Sequence, residues 1–136
     1  MTEKITPAMQ AFWANDPAPI EMGIDLIEAR DNRAELRLRL EPRHLNGHRT
    51  AHGGVVHLLA DCAAGFAANS TGEQAVTQTN TITFLTPSHT GETLTAISTF
   101  VARSGRSALY DVVVTAEDGR QVAVMRAQMR HIAPQA

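Results

Sequence analysis

HGGVVHLLADCAAGFAANSTG, residues 52–72, decides the fold. Helix formers dominate it, and Asn69 to Gly72 supply a stop. From Val55 to Ala68 only His57 and Asp61 interrupt an apolar run, so this helix is apolar nearly all round. Such a helix is buried on most sides, and the rest of the chain has to cover it. The flanks read as that cover. GIDLIEAR (23–30) and RAELRLRL (33–40) alternate apolar with polar around Asp31-Asn32, the pattern of a hairpin with one buried face. Downstream, QAVTQTNTITFL (74–85), ETLTAISTFVAR (92–103), SALYDVVVTAE (107–117) and RQVAVMRAQMRHI (120–132) read as strands broken by Pro87, Ser104-Gly105 and Asp118-Gly119. Upstream, PAMQAFWAND (7–16) predicts a short helix with Met9, Phe12 and Trp13 on one face, stopping before Pro17. Five or more antiparallel strands and one apolar helix inserted after the second strand predict an α+β sheet wrapped around that helix. The expected organisation is a single domain, 1–136, with a leading helical segment at 1–20 and the central helix at 53–70.

Composition narrows the function classes. With 136 residues, 43% hydrophobic and 19% charged, the chain has the profile of one soluble domain of common size. Cys62, the single cysteine, has no partner within the chain, which predicts a reduced and cytoplasmic protein. MTEKITPAMQ has neither the apolar core of a secretory signal nor the arginine richness of a transit peptide. His57 and Asp61 break the one long apolar run, so no membrane span is expected. A net charge of -2 with scattered Lys and Arg argues against a nucleic-acid partner and for a small-molecule ligand.

Three readings compete for NGHRTAHGGVVHLLAD (46–61). His44, His48 and His52 stand at i, i+4 and i+8, which on a helix is metal-ligand spacing. Asn46-Gly47 favours a turn there, and carboxylates to orient such ligands, or a cysteine at ligand spacing, are absent, so no metal is expected. A phosphate loop needs a Lys-Ser/Thr pair after its glycines, and Val55-Val56 stand in that place. The third reading is a helix amino terminus. His52, Gly53 and Gly54 leave backbone N–H groups unpaired and open to close approach, suited to a developing negative charge. Asp61 follows amid Leu58, Leu59, Ala60, Cys62, Ala63 and Ala64, where a carboxylate loses hydration, the usual condition of a catalytic base or nucleophile. An ion pair with His57, one helical turn back, is the structural alternative. Amide donors plus a carboxylate form the minimum set for splitting an ester or thioester.

HLNGHRTAHGGVVHLLADCAAGFAANS followed by ITFLTP resembles the hotdog-fold acyl-CoA thioesterases, particularly the phenylacetic acid degradation (PaaI-type) subgroup. The likeness covers most of the chain. It is most specific at Asn46-Gly47, His52-Gly53-Gly54, Leu59-Ala60-Asp61 and Ala68-Asn69-Ser70, with GRSALYDV and the basic last strand in support. The resemblance implies a hotdog fold, a long helix wrapped by an antiparallel sheet. By position it implies Asp61 as general base on water or as nucleophile, Gly53 as the oxyanion amide, and Asn46 as the group orienting thioester or water. Relatives often carry a hydroxyl four residues after the acid or on the strand that follows the helix. The first position here is Gly65, so Thr77 is the implied water holder; a plain β-branched place in a Thr-rich strand is its alternative. His52, Gly54 and Thr79 are implied on the substrate side. Arg103, Ser104, Gly105, Arg106 and Ser107, with His131, are implied near the CoA phosphates, which arginines and turn amides suit.

The expected activity is hydrolysis of an acyl-CoA to an acid and CoA without a further cofactor, the CoA thioester itself being the substrate. An arylacetyl group, phenylacetyl or hydroxyphenylacetyl, is the acyl part that the resemblance favours. A hotdog dehydratase or hydratase and a non-catalytic acyl-CoA-binding module are the alternatives, and the dehydratase needs a histidine facing the acid. Helix geometry adds an expectation about assembly. Gly53 and Asp61 lie about 12 Å apart along one helix and about 80° around it, too far for one carbonyl to touch both. The site is therefore expected between two subunits of a homodimer, and the resemblance extends this to a dimer of dimers, a homotetramer.

Overall fold

The computed structural model describes residues 3–132, so positions 1–2 and 133–136 of the expected 1–136 domain lie outside the described residues. The expected leading helix is α1 (Pro7–Ala14), which stops before Pro17, and a second short helix, α2 (Pro17–Glu21), follows it unanticipated. Thr6 caps α1 by accepting the Met9 N–H at 3.3 Å. Pro17 ends the approach to one helix and begins another, because a proline lacks only the N–H that a first helical position leaves unpaired anyway.

Six strands follow: β1 (Asp25–Arg30), β2 (Arg33–Arg39), β3 (Ala75–Phe84), β4 (Thr93–Ser104), β5 (Ser107–Thr115) and β6 (Gln121–His131). They form one antiparallel sheet in the order β1-β2-β4-β5-β6-β3. The β1–β2 turn is tight because Asp31 and Asn32 adopt φ values of 52° and 62°, the left-handed pair such a hairpin needs. Between β2 and β3 runs α3 (Gly53–Asn69), with Ser70 as its C-cap rather than its last residue. The expected sheet around one helix is therefore observed, and α3 packs against all six strands.

Leu59, Ala60, Ala63, Ala64, Phe66 and Ala67 of α3 meet Leu36, Leu38, Leu94, Tyr110, Val112 and Met129 from the sheet. Four of those helix residues are alanines, which let the curved sheet approach closely, while Leu59 supplies the volume; its truncation to alanine would cost about 2–5 kcal/mol. One stripe at i, i+4 spacing, His57, Leu58, Asp61, Cys62 and Gly65, stays partly open. At the end of the sheet β3 pairs, among the described residues, only with β6, and Val76 (48%) and Phe84 (51%) are exposed on it. Among the described residues no helix is long and apolar enough to cross a membrane.

Candidate active site

The local shape of β3 builds the site. Thr77 faces Met129 of β6 and Thr79 faces Gln128, so Gln78 is an extra residue, a β-bulge. Without it, residues three apart would point to opposite faces of the sheet. With it, Thr77 and Asn80 both reach α3. The Thr77 hydroxyl donates to Asp61 Oδ1 at 3.0 Å, and Asn80 Nδ2 donates to the same oxygen at 2.8 Å. Asp61 Oδ2 has no partner among the described residues. Asn69 fixes the distance between helix and strand. Its Nδ2 donates to Gly65 O at 2.8 Å and Ala75 O at 3.0 Å, and its Oδ1 accepts the Ala75 N–H at 2.9 Å.

The alternative ion pair between Asp61 and His57 does not form. Asn80 stands between them, its Nδ2 lying 2.9 Å from His57 Nε2. Sequence reading missed Asn80, because strict alternation puts it on the face away from Thr77 and nothing in QAVTQTNTITFL announces the bulge. The same bulge turns Thr79 outward, so Thr79 does not join Asp61. Burial, with Asp16 and Asp61 nearby, pushes the Cys62 thiol up to about 12, which leaves it no role as a nucleophile. Beside Asp61 opens a groove of about 240 Å³ walled by Phe12, Pro19, Leu58, Phe66 and Met129, with Gly65 among its lining residues.

At the start of α3 His52 is the N-cap, its Nδ1 accepting the Gly54 N–H at 2.9 Å. The Gly54 amide is thus committed, and the Gly53 N–H is left without an acceptor among the described residues. Phe84 lies over Gly53, its Cζ 3.3 Å from where a Cβ would stand. Asn46 holds its own loop, Oδ1 accepting from the His48 N–H at 2.9 Å and from the Thr50 N–H and hydroxyl at 3.2 Å. Asn46 and Gly53 line one groove of about 300 Å³, together with Phe84 and Ser88. Asp61 and Thr77 line the other. The four expected catalytic residues therefore fall into two separate pairs. The histidines of the opening loop do not converge: His44 is buried with Nδ1 accepting the Glu41 N–H at 2.9 Å and Nε2 2.7 Å from Met22 O, while His52 serves the cap.

Around the β4–β5 turn, Arg103, Arg106 and His131 do come together, lining a groove of about 340 Å³ with Glu73. Ser104 and Ser107 pair across the turn and Gly105 takes φ +59°; these three shape the hairpin without lining the groove. Arg103 is already engaged, by Glu73 Oε2 at 2.9 Å and by Gly105 O at 2.9 Å. The hydrogen bond from Arg103 holds the Glu73 carboxyl below its ordinary value. Burial, and then the Arg103 guanidinium, push the His131 imidazole below its own, so it offers this groove a neutral ring near pH 7. Glu73 was invisible in the sequence, one polar residue in a loop of them.

Comparison with known proteins agrees with this architecture. The model of the Thioesterase superfamily matches residues 48–123. Acyl-coenzyme A thioesterase PaaI of Escherichia coli is 33% identical over 132 residues, 97% of this chain and 94% of that protein. The structure of the E. coli PaaI protein, from the phenylacetic acid degradation operon, superposes with a TM-score of 0.89 at 32% identity, covering 93% of this chain and 91% of that one. The TT0310 protein of Thermus thermophilus gives 0.83 at 30% identity, over 87% and 99% of the two chains. A third structure, smu.793 from Streptococcus mutans bound to acetyl CoA, gives 0.78 at 26% identity, over 83% and 91%. The sheet wrapped around α3 is thus that of a known family: the chain belongs to the thioesterase superfamily and has its hotdog fold.

Proposed function

We propose that this thioesterase hydrolyses acyl-CoA, with an arylacetyl-CoA such as phenylacetyl-CoA or hydroxyphenylacetyl-CoA as substrate, and that Asp61 carries the chemistry. The observation behind the proposal is the asymmetry of the Asp61 carboxylate, one oxygen clamped by Thr77 and Asn80 and the other open. Oδ2 takes a proton from a water that the Thr77 oxygen helps to hold. That water attacks the thioester carbon, and the carbonyl electrons move to the oxygen, which the free Gly53 N–H receives. Collapse breaks the C–S bond, and the departing CoA thiolate takes the proton back from Asp61. Acid and CoA leave, and the carboxylate is restored.

Since Gly53 and Asp61 line different grooves, the complete site forms between two copies of the chain, Gly53 from one and Asp61 from the other. The unpaired edge of β3 supports the pairing, because an exposed ten-residue edge is a template for a second strand. The aromatic walls of the Asp61 groove, Phe12 and Phe66, suit an aryl ring. Arg103 and Arg106 receive the CoA phosphates once Glu73 is displaced from Arg103. The activity named for the E. coli relative supports the CoA thioester as substrate.

A dehydratase requires a histidine at the acid, but Asn80 separates His57 from Asp61 and His52 is used in the cap. Thiol release over a panel of acyl-CoAs tests the proposal. Release of CoA with an unchanged acyl skeleton, fastest for arylacetyl groups, is the expected result. Double-bond chemistry without thiol release, or binding without turnover, would contradict it.

A further inference from the structure

We infer that Asn80 is the positioning residue that selects which oxygen of Asp61 reacts, and that His57 fixes the orientation of Asn80. The inference rests on the reading of Asp61 as the reacting carboxylate. Both hydrogens of the Asn80 amide are used: one goes to Asp61 Oδ1 at 2.8 Å, the other to His57 Nε2 at 2.9 Å. Turning the amide round would set its oxygen against the carboxylate oxygen, so the nitrogen must face Asp61. His57 then accepts at Nε2 and carries its proton on Nδ1. Asn80 Oδ1 is left buried with no partner among the described residues. An orphaned buried acceptor survives where the arrangement serves something other than stability.

The bulge at Gln78 exists on the strand that presents both donors, and it alone lets Thr77 and Asn80 converge. Thr77 by itself would leave Asp61 free to rotate about its last torsion, exchanging its two oxygens. Two donors on Oδ1 oppose that exchange and leave Oδ2 as the oxygen without a partner among the described residues, on a residue that lines the groove. His57 touches Asp61 only through Asn80, so its effect is indirect.

Four variants, each verified as folded by circular dichroism, test this with acyl-CoA as the probe. Asn80→Ala should lower kcat by about ten- to hundredfold, the scale of a small misplacement of a reacting group, with KM within about twofold. His57→Phe should move kcat in the same direction, giving a second route if Asn80→Ala does not fold. His57→Gln, which keeps an acceptor, should retain kcat within about threefold of wild type. In the double variant Asn80→Ala/His57→Phe the loss should equal that of Asn80→Ala alone, because the second residue acts through the first. Unchanged kcat in Asn80→Ala, a loss confined to KM, failure of His57→Gln to rescue, or multiplying losses in the double variant would each overturn the inference. Asp61→Asn, run alongside, separates the two layers: if it too stays active, the reading of Asp61 fails, and not only the role of Asn80.

Discussion

Thr77 and Asn80 stand three residues apart on one strand and donate to the same oxygen of Asp61, at 3.0 and 2.8 Å. A regular strand forbids this, and the extra residue Gln78 permits it. On the proposed reading of Asp61, function is written into an irregularity. The sheet also shifts register at Leu26/Glu28, Phe100/Ala102 and Val114/Thr115, and the shift on β3 is the one that brings two donors to the carboxylate from one side.

Replacing the carboxylate should therefore separate folding from turnover. Asp61→Asn keeps size and hydrogen-bonding capacity but cannot take a proton from water, so kcat should fall about a hundredfold or more while the variant still binds substrate. Steady-state kinetics with circular dichroism as the control checks this, and near-normal kcat in a folded variant would remove Asp61 from the mechanism.

The Arg103 groove gives a second, opposite pair of effects. Arg106→Ala should raise KM for CoA thioesters with little change in kcat, since phosphate contacts are alike in ground and transition states. Glu73→Gln should lower KM, because Arg103 then loses the carboxylate that now occupies it. Neither change should affect a pantetheine thioester, which has no nucleotide; equal effects on both substrates would remove the groove from CoA recognition.

Gly65 permits a test of the acyl side. Nothing lies within 4 Å of a Cβ built there, and a glycine inside a helix costs about 1 kcal/mol relative to alanine. Gly65→Ala should thus be slightly more stable in thermal melts, while Gly65→Leu should lower kcat/KM for phenylacetyl-CoA about tenfold and spare acetyl-CoA. Equal losses on both substrates would mean that this groove does not hold the acyl group.

Much of this is legible in the sequence. The apolar helix, the six strands and the turns at Asp31-Asn32, Ser104-Gly105 and Asp118-Gly119 follow from periodicity and turn chemistry, which depend on near neighbours. Asp61 stood out as a charge in an apolar run. What stayed hidden depends on contacts across the sheet. Asn80 was masked by the bulge, Glu73 by a polar loop, and the commitment of the Gly54 amide to His52 by a side-chain rotamer. Pro17 marked the end of α1 correctly, but its fitness to start a helix was overlooked, and with it α2.

Mixing two inactive variants measures the shared site most directly. Gly53→Pro removes the free amide at a position where proline suits the helix, provided the Phe84 ring yields by a few tenths of an ångström to the new Cβ; circular dichroism verifies that it folds. Combined with Asp61→Asn and allowed to exchange subunits, half of the dimers become mixed, and each mixed dimer has one intact site and one carrying both lesions. Activity should return to about a quarter of wild type from two nearly inactive parents, with exchange verified by native mass spectrometry. Mixed dimers that form and remain as inactive as their parents would contradict a site built from Gly53 of one subunit and Asp61 of the other.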